Sequence, residues 1–329
     1  MDAQARLRVL AEIGRHVPYQ LYVWLLTDPA SSVGAAPLAD IPPPLVARLP
    51  ELIRLKYLTP VNRWTTVDTW PVFLYRATGG DLAGSLLWRD LLRHYSIVDV
   101  ATLVFRDRFG CWGFLDLWRT TEPFDDRDER RLAEHVAPVT AAIRRSLAAT
   151  FTARPVPTAS GPAVLMLSPE LVVIGQTPST EDYLRTLVPP GPGQEPVPAG
   201  AYNVAAQLLA VVAGVDSNPP TARVHLDHGR WLHLRAAPLH PGGHAAAGTI
   251  AVTIEDAAPA QRLDLFARCC GLTPRETQLL EQLSAGVDTR QAARAMAVTG
   301  NTVQDHLKSI FAKTGTRTRR ELFARALGT

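Results

Sequence analysis

The chain has 329 residues, 47% of them hydrophobic, and a formal net charge of only +3. This length allows two or three domains, and the composition is that of a soluble globular protein. Three cysteines without a CxxC spacing exclude a disulfide framework and a cysteine-based zinc site, which fits a reducing cytoplasm. No apolar run approaches about 18 residues, and the N-terminus is too charged for an export signal. We therefore expect a cytoplasmic protein without a membrane span.

The first 150 residues combine helical and strand patterns. LYVWLLT at 21–27 predicts a buried strand, and DVATLVFRD followed by CWGFLDLWRT predicts a β-hairpin. The segment 124–149 has acidic residues in its first turn and arginines late, as a long helix does, and Pro138 should bend it. Further helices are predicted at 2–14, at 42–58 with a break at Pro50, and at 88–99.

Residues 151–162 (FTARPVPTASGP) lack an apolar period and are rich in proline, serine and threonine, which predicts a linker. Residues 163–257 then carry two strand patterns, two helical patterns and three more strand patterns. This order is typical of an α+β fold with antiparallel strands. The predicted elements are strands AVLML and ELVVIG, helices at 179–188 and 200–213 separated by a proline- and glycine-rich loop, and strands ARVHL, RWLHLRAAPL and GTIAVTIED.

Positive charge is concentrated near the C-terminal end of the sequence. Residues 268–329 hold ten arginines and lysines against five acidic residues, whereas the rest of the chain has a net charge of −2. Two of the three lysines, Lys308 and Lys313, lie on one short segment. This distribution favours an anionic partner for the C-terminal segment, although a window of this size reaches such a charge by chance fairly often.

Four short helices are predicted in this basic segment. Thr273 and Glu276 form a capping box around Pro274, so the first helix begins there, and Gly286 ends it. The second helix begins after Asp288. The third has Thr299 as its cap, and the fourth begins at a second capping box, Thr318 to Glu321. The predicted inward residues are Leu279, Leu280, Leu283, Ala292, Ala293, Val303, Leu307, Ile310, Phe311, Leu322, Phe323, Ala326 and Leu327.

The second and third of these helices, joined by a tight turn, predict a helix-turn-helix from Asp288 to Leu307. A helix that reads a DNA groove must pack through one side and present hydrogen-bonding groups on the other. The third helix has this character, because its apolar stripe lies opposite four polar residues, Asn301, Gln304, Asp305 and Lys308.

The same segment closely resembles the LuxR-type DNA-binding domain. The resemblance rests on LTPRE at 272–276, on the spacing to the pair Ala292 and Ala293, and on VTGNTVQDHLKSIFAKTGTRTRRELFARAL at 298–327. It covers about 60 residues. It implies an all-α, four-helix domain that binds the major groove of double-stranded DNA at paired half-sites, with a fourth helix that supports dimerisation.

The resemblance also implies individual roles in DNA binding. Ala292 stands where the family prefers a larger aliphatic residue, which implies looser packing there. Gln304 stands where lysine or arginine is frequent in the family, which leaves the target sequence open. On the residues alone, Asp305 and Lys308 could instead pair with each other on a solvated helix face. The implied DNA-contacting set is Thr299, Asn301 and Thr302 near phosphates, Gln304, Asp305 and Lys308 in the major groove, Lys313 on the backbone, and Arg319 in the fourth helix.

The front two thirds of the chain show weaker resemblances. FRDRFGCWGFLDLWR and the acidic helix start after it resemble a GAF domain, and the strands RWLHLRAAPL and IAVTIED resemble a PAS domain. The order of domains, with the Arg/Ala/Pro-rich composition, resembles actinobacterial regulators. The predicted organisation is an α+β multidomain chain: a GAF-like α/β sensor (1–150), a linker (151–162), a PAS-like antiparallel-sheet sensor (163–257), a connecting helix (258–271) and the LuxR-type domain (272–329).

No cofactor or metal is predicted for the chain. His94 could ligate haem, but a histidine on such a helix is more often structural. The spacing of His225, His228 and His233 fits no regular metal site. Cys269 and Cys270 could sense oxidants, although adjacent helical cysteines usually pack as small apolar groups. Trp112 and Trp118 could line a ligand cavity, but core packing is the better interpretation.

An enzyme is not predicted either, because the sequence has no GxSxG, Walker, GxGxxG or HExxH motif. A phosphorylated receiver domain fits poorly, because Lys56 is the only lysine before residue 300. We therefore predict a one-component, homodimeric transcription regulator whose front modules sense a small molecule or a partner. The alternative is that these modules bind protein partners and need no small ligand; a large apolar cavity would favour the first interpretation.

Overall fold

The computed structural model describes residues 1–67, 70–151, 161, 163–187, 198–226, 230–239 and 248–328, except the side chains of 185–187. The chain divides into two compact units. The N-terminal unit consists of Met1–Ile143, Ala159–Val224 and Leu232–Asp256, and the C-terminal unit of Arg144–Thr158, His225–Trp231 and Ala257–Thr329. The predicted linker and the loop after residue 188 lie almost wholly outside the described residues. In the described part of the chain, no helix is long and apolar enough to cross a membrane.

The first sheet of the N-terminal unit contains the strands predicted from LYVWLLT and from the hairpin. Its order is β2-β1-β5-β4-β3, and all neighbouring strands are antiparallel. The strands are β1 (Leu21–Thr27), β2 (Gly34–Asp40), β3 (Val72–Phe73), β4 (Asp99–Asp107) and β5 (Gly110–Arg119). The two edge strands, β2 and β3, were not predicted. β2 contains Pro37, which an edge strand tolerates because it need not donate to a further strand.

Helices α1 (Ala3–Gly14), α2 (Pro43–Val46), α3 (Leu49–Leu58), α4 (Leu74–Ala77), α5 (Leu86–Asp90) and α6 (Asp126–Ala148) belong to the same part of the chain. Two predictions were wrong in detail. The break in the helix predicted over 42–58 precedes Pro50, because proline fits the first turn of α3, where its missing N–H has no intrahelical acceptor. The helix predicted over 88–99 is instead α5 followed by a 3₁₀ turn, Leu92–Tyr95.

The second sheet of the N-terminal unit has the order β7-β6-β10-β9-β8. Its strands are β6 (Ala163–Leu167), β7 (Val173–Gln176), β8 (Thr221–His225), β9 (Trp231–Pro238) and β10 (Ile250–Asp256), and its helices are α7 (Pro178–Leu187) and α8 (Ala199–Val212). The predicted strand ELVVIG is shorter than expected, because Leu171 adopts a positive φ and turns the chain before β7. The mixed α+β class is confirmed by these two five-stranded sheets and the helical C-terminal segment.

The two sheets repeat one topology. Counted within each sheet, the strand order is second, first, fifth, fourth and third in both. The pair α2 and α3 lies between the second and third strands of the first sheet, and the pair α7 and α8 lies at the same place in the second. The helices α3 and α8 are therefore topological equivalents, and they pack against each other.

Buried ion pairs join the two sheets within the N-terminal unit. The Asp28 carboxylate, at the end of β1, accepts hydrogen bonds from Arg223 Nε and Nη2 on β8, both at 2.7 Å. Burial would raise the pKa of Asp28, but the Arg223 guanidinium overcomes that effect and the pKa is lowered. Asp216 is the second such carboxylate; it accepts from Thr65 and lies 3.7 Å from Arg63 Nε.

The C-terminal unit holds the end of α6 and five helices: α9 (Pro259–Cys269), α10 (Pro274–Ser284), α11 (Thr289–Ala295), α12 (Gly300–Thr314) and α13 (Arg319–Leu327). Helix α9 packs against α13, and α10 and α11 both contact α12. The four helices predicted from 272 onward are thus all present. Most residues of the predicted inward stripe are buried in α10 to α13, whereas Phe311, Phe323 and Leu327 are only half-buried. Glu276 and Thr314 are buried as well, although they were not predicted to be.

Candidate nucleic-acid interface and an apolar cavity

The start of α10 is the predicted capping box. Thr273 Oγ1 accepts from the Glu276 N–H at 3.3 Å, and Glu276 Oε2 accepts from the Thr273 N–H at 2.6 Å. Pro274 occupies the first helical position. These contacts satisfy two of the N–H groups that the first turn of a helix leaves without partners.

Glu276 has a second role that the sequence pattern did not predict. Lys313 Nζ of α12 donates to both of its carboxylate oxygens, at 2.9 and 2.6 Å, and Ser309 Oγ donates at 2.6 Å. Burial would raise the pKa of Glu276, but the hydrogen bonds from Lys313, Ser309 and Thr273 outweigh it and lower the pKa to about 2. One carboxylate therefore caps α10 and holds α12 against it.

The turn between α11 and α12 sets the direction of α12. Asp288 caps α11 by accepting from the N–H groups of Arg290 and Gln291, both at 2.8 Å. After α11, Ala297 adopts a left-handed conformation with φ of 53°, and the Val298 N–H donates to a carbonyl of α11 at 2.9 Å. The small side chains of α11, Ala292 and Ala293, are buried.

Helix α12 separates buried and exposed residues as predicted. Thr299 is its cap, with Oγ1 accepting from the Thr302 N–H at 3.2 Å, and Gly315 ends it in the left-handed conformation. Val303, Leu307 and Ile310 are buried. The exposed face carries four polar side chains: Asn301, Gln304, Asp305 and Lys308.

Asp305 and Lys308 lie close enough to interact, but weakly. Lys308 Nζ is 3.7 Å from Asp305 Oδ1, and both side chains are mostly in solvent. Ion pairs of this kind contribute little to stability, because water and salt screen them. Both side chains therefore remain available to a partner, and the fold does not explain why they are where they are.

Helix α13 begins differently from the prediction. Thr318 Oγ1 accepts from the Glu321 N–H at 3.1 Å, but the Glu321 carboxylate accepts from the Arg317 N–H, so the second half of the predicted box is absent. Arg319 lies in the first turn and is exposed, as are Arg317 and Arg320. Cations at a helix N-terminus are disfavoured by the helix dipole, so their presence here is not explained by the stability of α13.

The predicted DNA-contacting residues thus fall into two groups. Thr299, Asn301, Thr302, Gln304, Asp305 and Lys308 lie on the first turns of α12, whereas Lys313 lies at its far end against Glu276 and Arg319 lies on α13. Sequence reasoning did not single out Arg290 and Arg294, which are exposed cations on α11. Their charge was visible in the sequence, but the packing of α11 against α12 requires the fold.

A second candidate site is an apolar cavity of about 220 Å³ in the N-terminal unit. Its walls are β1, β2 and β5 of the first sheet, helices α3 and α5, and the start of α8. Trp64 and Trp118 line its interior, and Ala39 and Val46 lie at its exposed rim. Trp118 thus lines a cavity, whereas Trp112 is core, with its indole N–H donating to Asp107 at 2.9 Å.

Three polar residues, Lys56, Asp116 and Asn203, line this cavity. Lys56 Nζ is 2.9 Å from Asp116 Oδ2, and Thr102 Oγ1 donates to the other carboxylate oxygen. Burial lowers the pKa of Lys56, and the Asp116 charge opposes that effect. Asn203 Nδ2 donates to the Ala199 carbonyl at 2.7 Å, and its Oδ1 has no hydrogen-bond partner among the residues that the structure describes.

The histidines and cysteines that the sequence offered as possible haem, metal or redox sites lie in ordinary structural environments. His94 is exposed and accepts from Arg93, and burial lowers the pKa of His233 although the Glu255 carboxylate opposes it. Burial raises the pKa of the Cys270 thiol to about 12, which disfavours the reactive thiolate. Among the residues the structure describes, no group of His, Cys, Asp and Glu could hold a metal ion. His228 lies outside those residues.

Comparison with known proteins bears on the helical segment. Residues 271–326 match the family described as GerE, bacterial regulatory proteins, luxR family. This segment is a LuxR-family DNA-binding domain. The match begins just before the Thr273 cap of α10 and ends within α13, so the LuxR-family domain includes the Glu276–Lys313 contact and the whole of α12.

Other comparisons add little. No curated protein matches the chain. Among the solved structures similar to it, SdiA in complex with octanoyl-rac-glycerol is 13% identical over 100% of this chain and 89% of that one, with a TM-score of 0.29. VqmA bound to DPO is 15% identical over 51% and 81%, with a TM-score of 0.21. At these TM-scores neither neighbour supports a statement about the fold or the ligand of this chain.

Proposed function

We propose that this LuxR-family protein regulates transcription by binding paired DNA half-sites as a homodimer, with its N-terminal unit responding to a small molecule. The proposal of DNA binding rests on the exposed face of α12. Its polar side chains make no contact that the fold requires, while the opposite face is buried and its far end is tied to α10 through Glu276. A helix fixed in this way presents hydrogen-bonding groups to a groove at little entropic cost.

The residues divide into positioning and readout. Thr299, Asn301 and Thr302 lie at the N-terminus of α12, where free N–H groups and the helix dipole favour phosphate. Base edges in the major groove are read by Gln304, Asp305 and Lys308. We assign phosphate contacts to Lys313, since two bonds to Glu276 leave one of its three ammonium protons, and to Arg319, since nothing in α13 requires a cation there.

The proposal of small-molecule sensing rests on the cavity in the N-terminal unit. A filled core would favour an interaction module, whereas a small-molecule site is concave, mainly apolar, and has a few polar groups that orient the ligand. The cavity has this composition and an exposed rim at Ala39 and Val46. The repeated strand order supports the proposal that the two sheets are sensor modules of one kind, GAF-like at 1–150 and PAS-like at 163–257, ahead of a connecting helix at 258–271.

Selection of binding sites from random double-stranded DNA tests the DNA-binding half. The full-length protein should select a two-fold symmetric site, and binding should weaken with salt, log K falling by about 0.9 per neutralised phosphate. Gln304→Ala should relax the preference at one base position per half-site, where a bidentate contact discriminates by about 1–3 kcal/mol, and leave non-specific affinity nearly unchanged.

Gln278→Ala provides the matched control, because Gln278 is the same residue type on α10 and contacts only Arg275 among the hydrogen bonds described. It should leave the selected sequence unchanged. A flat response of affinity between roughly 50 and 200 mM salt, or selection unaffected by Gln304→Ala, would contradict the placement of α12 in the groove. If the protein selects single half-sites and sediments as a monomer, the proposal of a homodimer is wrong, while the proposal of DNA binding stands.

A further inference from the structure

One wall of the cavity in the N-terminal unit comes from a helix that belongs to the second sheet's part of the chain. Most of its lining comes from the first sheet and α3, but Ala199 and Asn203 come from α8. The start of α8 is held between the sheets: a Cβ added at Gly200 would lie 3.1 Å from Leu234 Cδ2 on β9 and 4.0 Å from the Ala35 carbonyl on β2. A molecule in the cavity would therefore touch a helix that packs on both sheets.

Asn203 is the polar group of the cavity that lacks a partner. It is fully buried, and within the described part of the chain its Oδ1 accepts no hydrogen bond. The orientation of the amide is fixed, because the atom that faces the Ala199 carbonyl at 2.7 Å must be the nitrogen. A buried acceptor without a donor costs free energy. A ligand that donates a hydrogen bond to Oδ1 removes this cost and binds more tightly for that reason.

The Lys56–Asp116 pair disfavours a charged ligand. Lys56 and Asp116 neutralise each other, the Asp116 carboxylate also accepts from Thr102, and the Lys56 ammonium lies 5.1 Å from the centre of the Trp64 ring. No net charge is therefore left to bind an ionic ligand. Such a ligand would have to lose its hydration without a counter-ion, which is costly in apolar surroundings.

The volume limits the size of the ligand. An engineered protein cavity of about 150 Å³ holds one benzene molecule, so proportional scaling gives about nine non-hydrogen atoms for this cavity of about 220 Å³. This is below the roughly 300–1,000 Å³ of sites for drug-sized molecules. The ligand is thus the size of one substituted ring or a short chain.

We propose that the cavity binds a neutral, largely apolar molecule of this size, and that its single hydrogen-bond donor is recognised by Asn203 Oδ1 on α8. This inference rests on the proposed sensing function and names the ligand class and the residue that detects it. Because α8 and α3 are equivalent helices of the two repeated modules and pack against each other, occupancy acts at the contact between the modules.

Three probe molecules test the proposal: phenol, which has a donor, toluene, which has the same size and none, and benzoate, which is charged. Their dissociation constants are measured by calorimetry on the full-length protein. We expect phenol to bind at least as tightly as toluene, and benzoate not to bind. Asn203→Leu keeps the side-chain volume and removes the acceptor, so it should lower the affinity for phenol relative to toluene by about ten-fold or more.

Gln207→Met is the matched control, because Gln207 is another fully buried amide on α8 that does not line the cavity. It should leave the ratio of the phenol and toluene affinities unchanged. If the wild-type protein binds toluene and not phenol, the ligand class is wrong while binding in the cavity stands. If no probe binds, sensing through this cavity is wrong as well. The wild-type contrast decides between these outcomes even if Asn203→Leu does not fold.

Discussion

Lys56 in the N-terminal unit and Lys313 in the C-terminal unit each bind one carboxylate at close range, yet their surroundings differ. Both partners of the Lys56–Asp116 pair are 3% exposed, whereas the Lys313 side chain is 32% exposed and only Glu276 is buried. The third lysine, Lys308, is 80% exposed and lies 3.7 Å from Asp305. The three lysines therefore form a series in which burial decides what the charge can do.

The series separates internal structure from recognition. A fully buried pair can act only on the protein around it and on a ligand inside the cavity. A half-exposed lysine can position one helix against another and still reach a partner. An exposed lysine is nearly free of the fold and is available for recognition. The predictions below follow this series, from the largest expected effect to the smallest.

Lys56→Met should cause the largest loss of stability. It leaves the Asp116 carboxylate buried without its counter-ion, which costs about 3–5 kcal/mol. The free energy of unfolding, measured in urea by tryptophan fluorescence, should fall by this amount. Lys56→Met combined with Asp116→Asn should recover most of the loss, because no charge is then left without a partner and an amide oxygen can still accept from Thr102. A loss below about 1 kcal/mol would show that water reaches Asp116.

Glu276→Gln should have an intermediate effect on the LuxR-family domain. It removes the carboxylate charge and turns one of the two acceptor oxygens into an NH2 donor, so hydrogen bonds from Lys313 and Ser309 to a charged group, worth about 1.5–3 kcal/mol each, are weakened or lost. Protection of the α12 amides in hydrogen exchange should fall accordingly. Amides of β4, in the other unit, serve as the internal control and should not change.

The same substitution makes a pH prediction. The folded-state pKa of Glu276 is about 2, below the ordinary value of 4.5. The carboxylate therefore contributes its full stability above about pH 5 and loses it as the pH falls through 4.5 toward 2. The difference in stability between the wild-type protein and Glu276→Gln should shrink over this range. A difference that stayed constant down to pH 2 would mean that the carboxylate has no lowered pKa.

These expectations also show which features could be predicted from sequence. The helices of the LuxR-family domain were predictable because their signals are local: Thr273, Asp288 and Thr299 cap helices within three residues of themselves. The apolar runs of β4 and β5 and the acidic start of the long α6 were predictable for the same reason. Edge strand β2 was missed, because GAAPLAD has neither a strand-like composition nor an alternating pattern.

The contacts that matter most for the candidate sites were not predictable. Lys56 and Asp116 are far apart in sequence, and so are Glu276 and Lys313, and no spacing rule relates residues brought together only by tertiary packing. The likeness of the two front modules was visible only in general terms. The strand order that makes it specific, and the place of Asn203 in the other module's cavity, depend on how the sheets assemble.

Lys313→Met tests whether a half-exposed lysine serves both the fold and the partner. It should weaken binding to all DNA sequences alike, and if the ammonium contacts one phosphate, the slope of log K against log salt should become shallower by about 0.9. Glu276→Gln is the control, because it weakens the contact between α10 and α12 but keeps the Lys313 ammonium. The slope of log K against log salt should therefore not change in this variant. If the slope is unchanged in Lys313→Met, Lys313 only holds α12 against α10 through Glu276 and does not contact a phosphate.

Lys308→Met should have the smallest effect on stability, below about 0.5 kcal/mol, because its pair with Asp305 is exposed and screened by solvent. It makes the same chemical change as Lys56→Met, so the two variants compare one substitution at the two ends of the series. Its effect should appear in DNA binding instead. If Lys308 donates to guanine, the variant should lose preference at one base position, and if it contacts phosphate, it should lose affinity for every sequence and about 0.9 of the salt slope. A variant that changed neither would show that Asp305 and Lys308 are only a solvated pair, and that the base contacts of α12 belong to its other exposed residues.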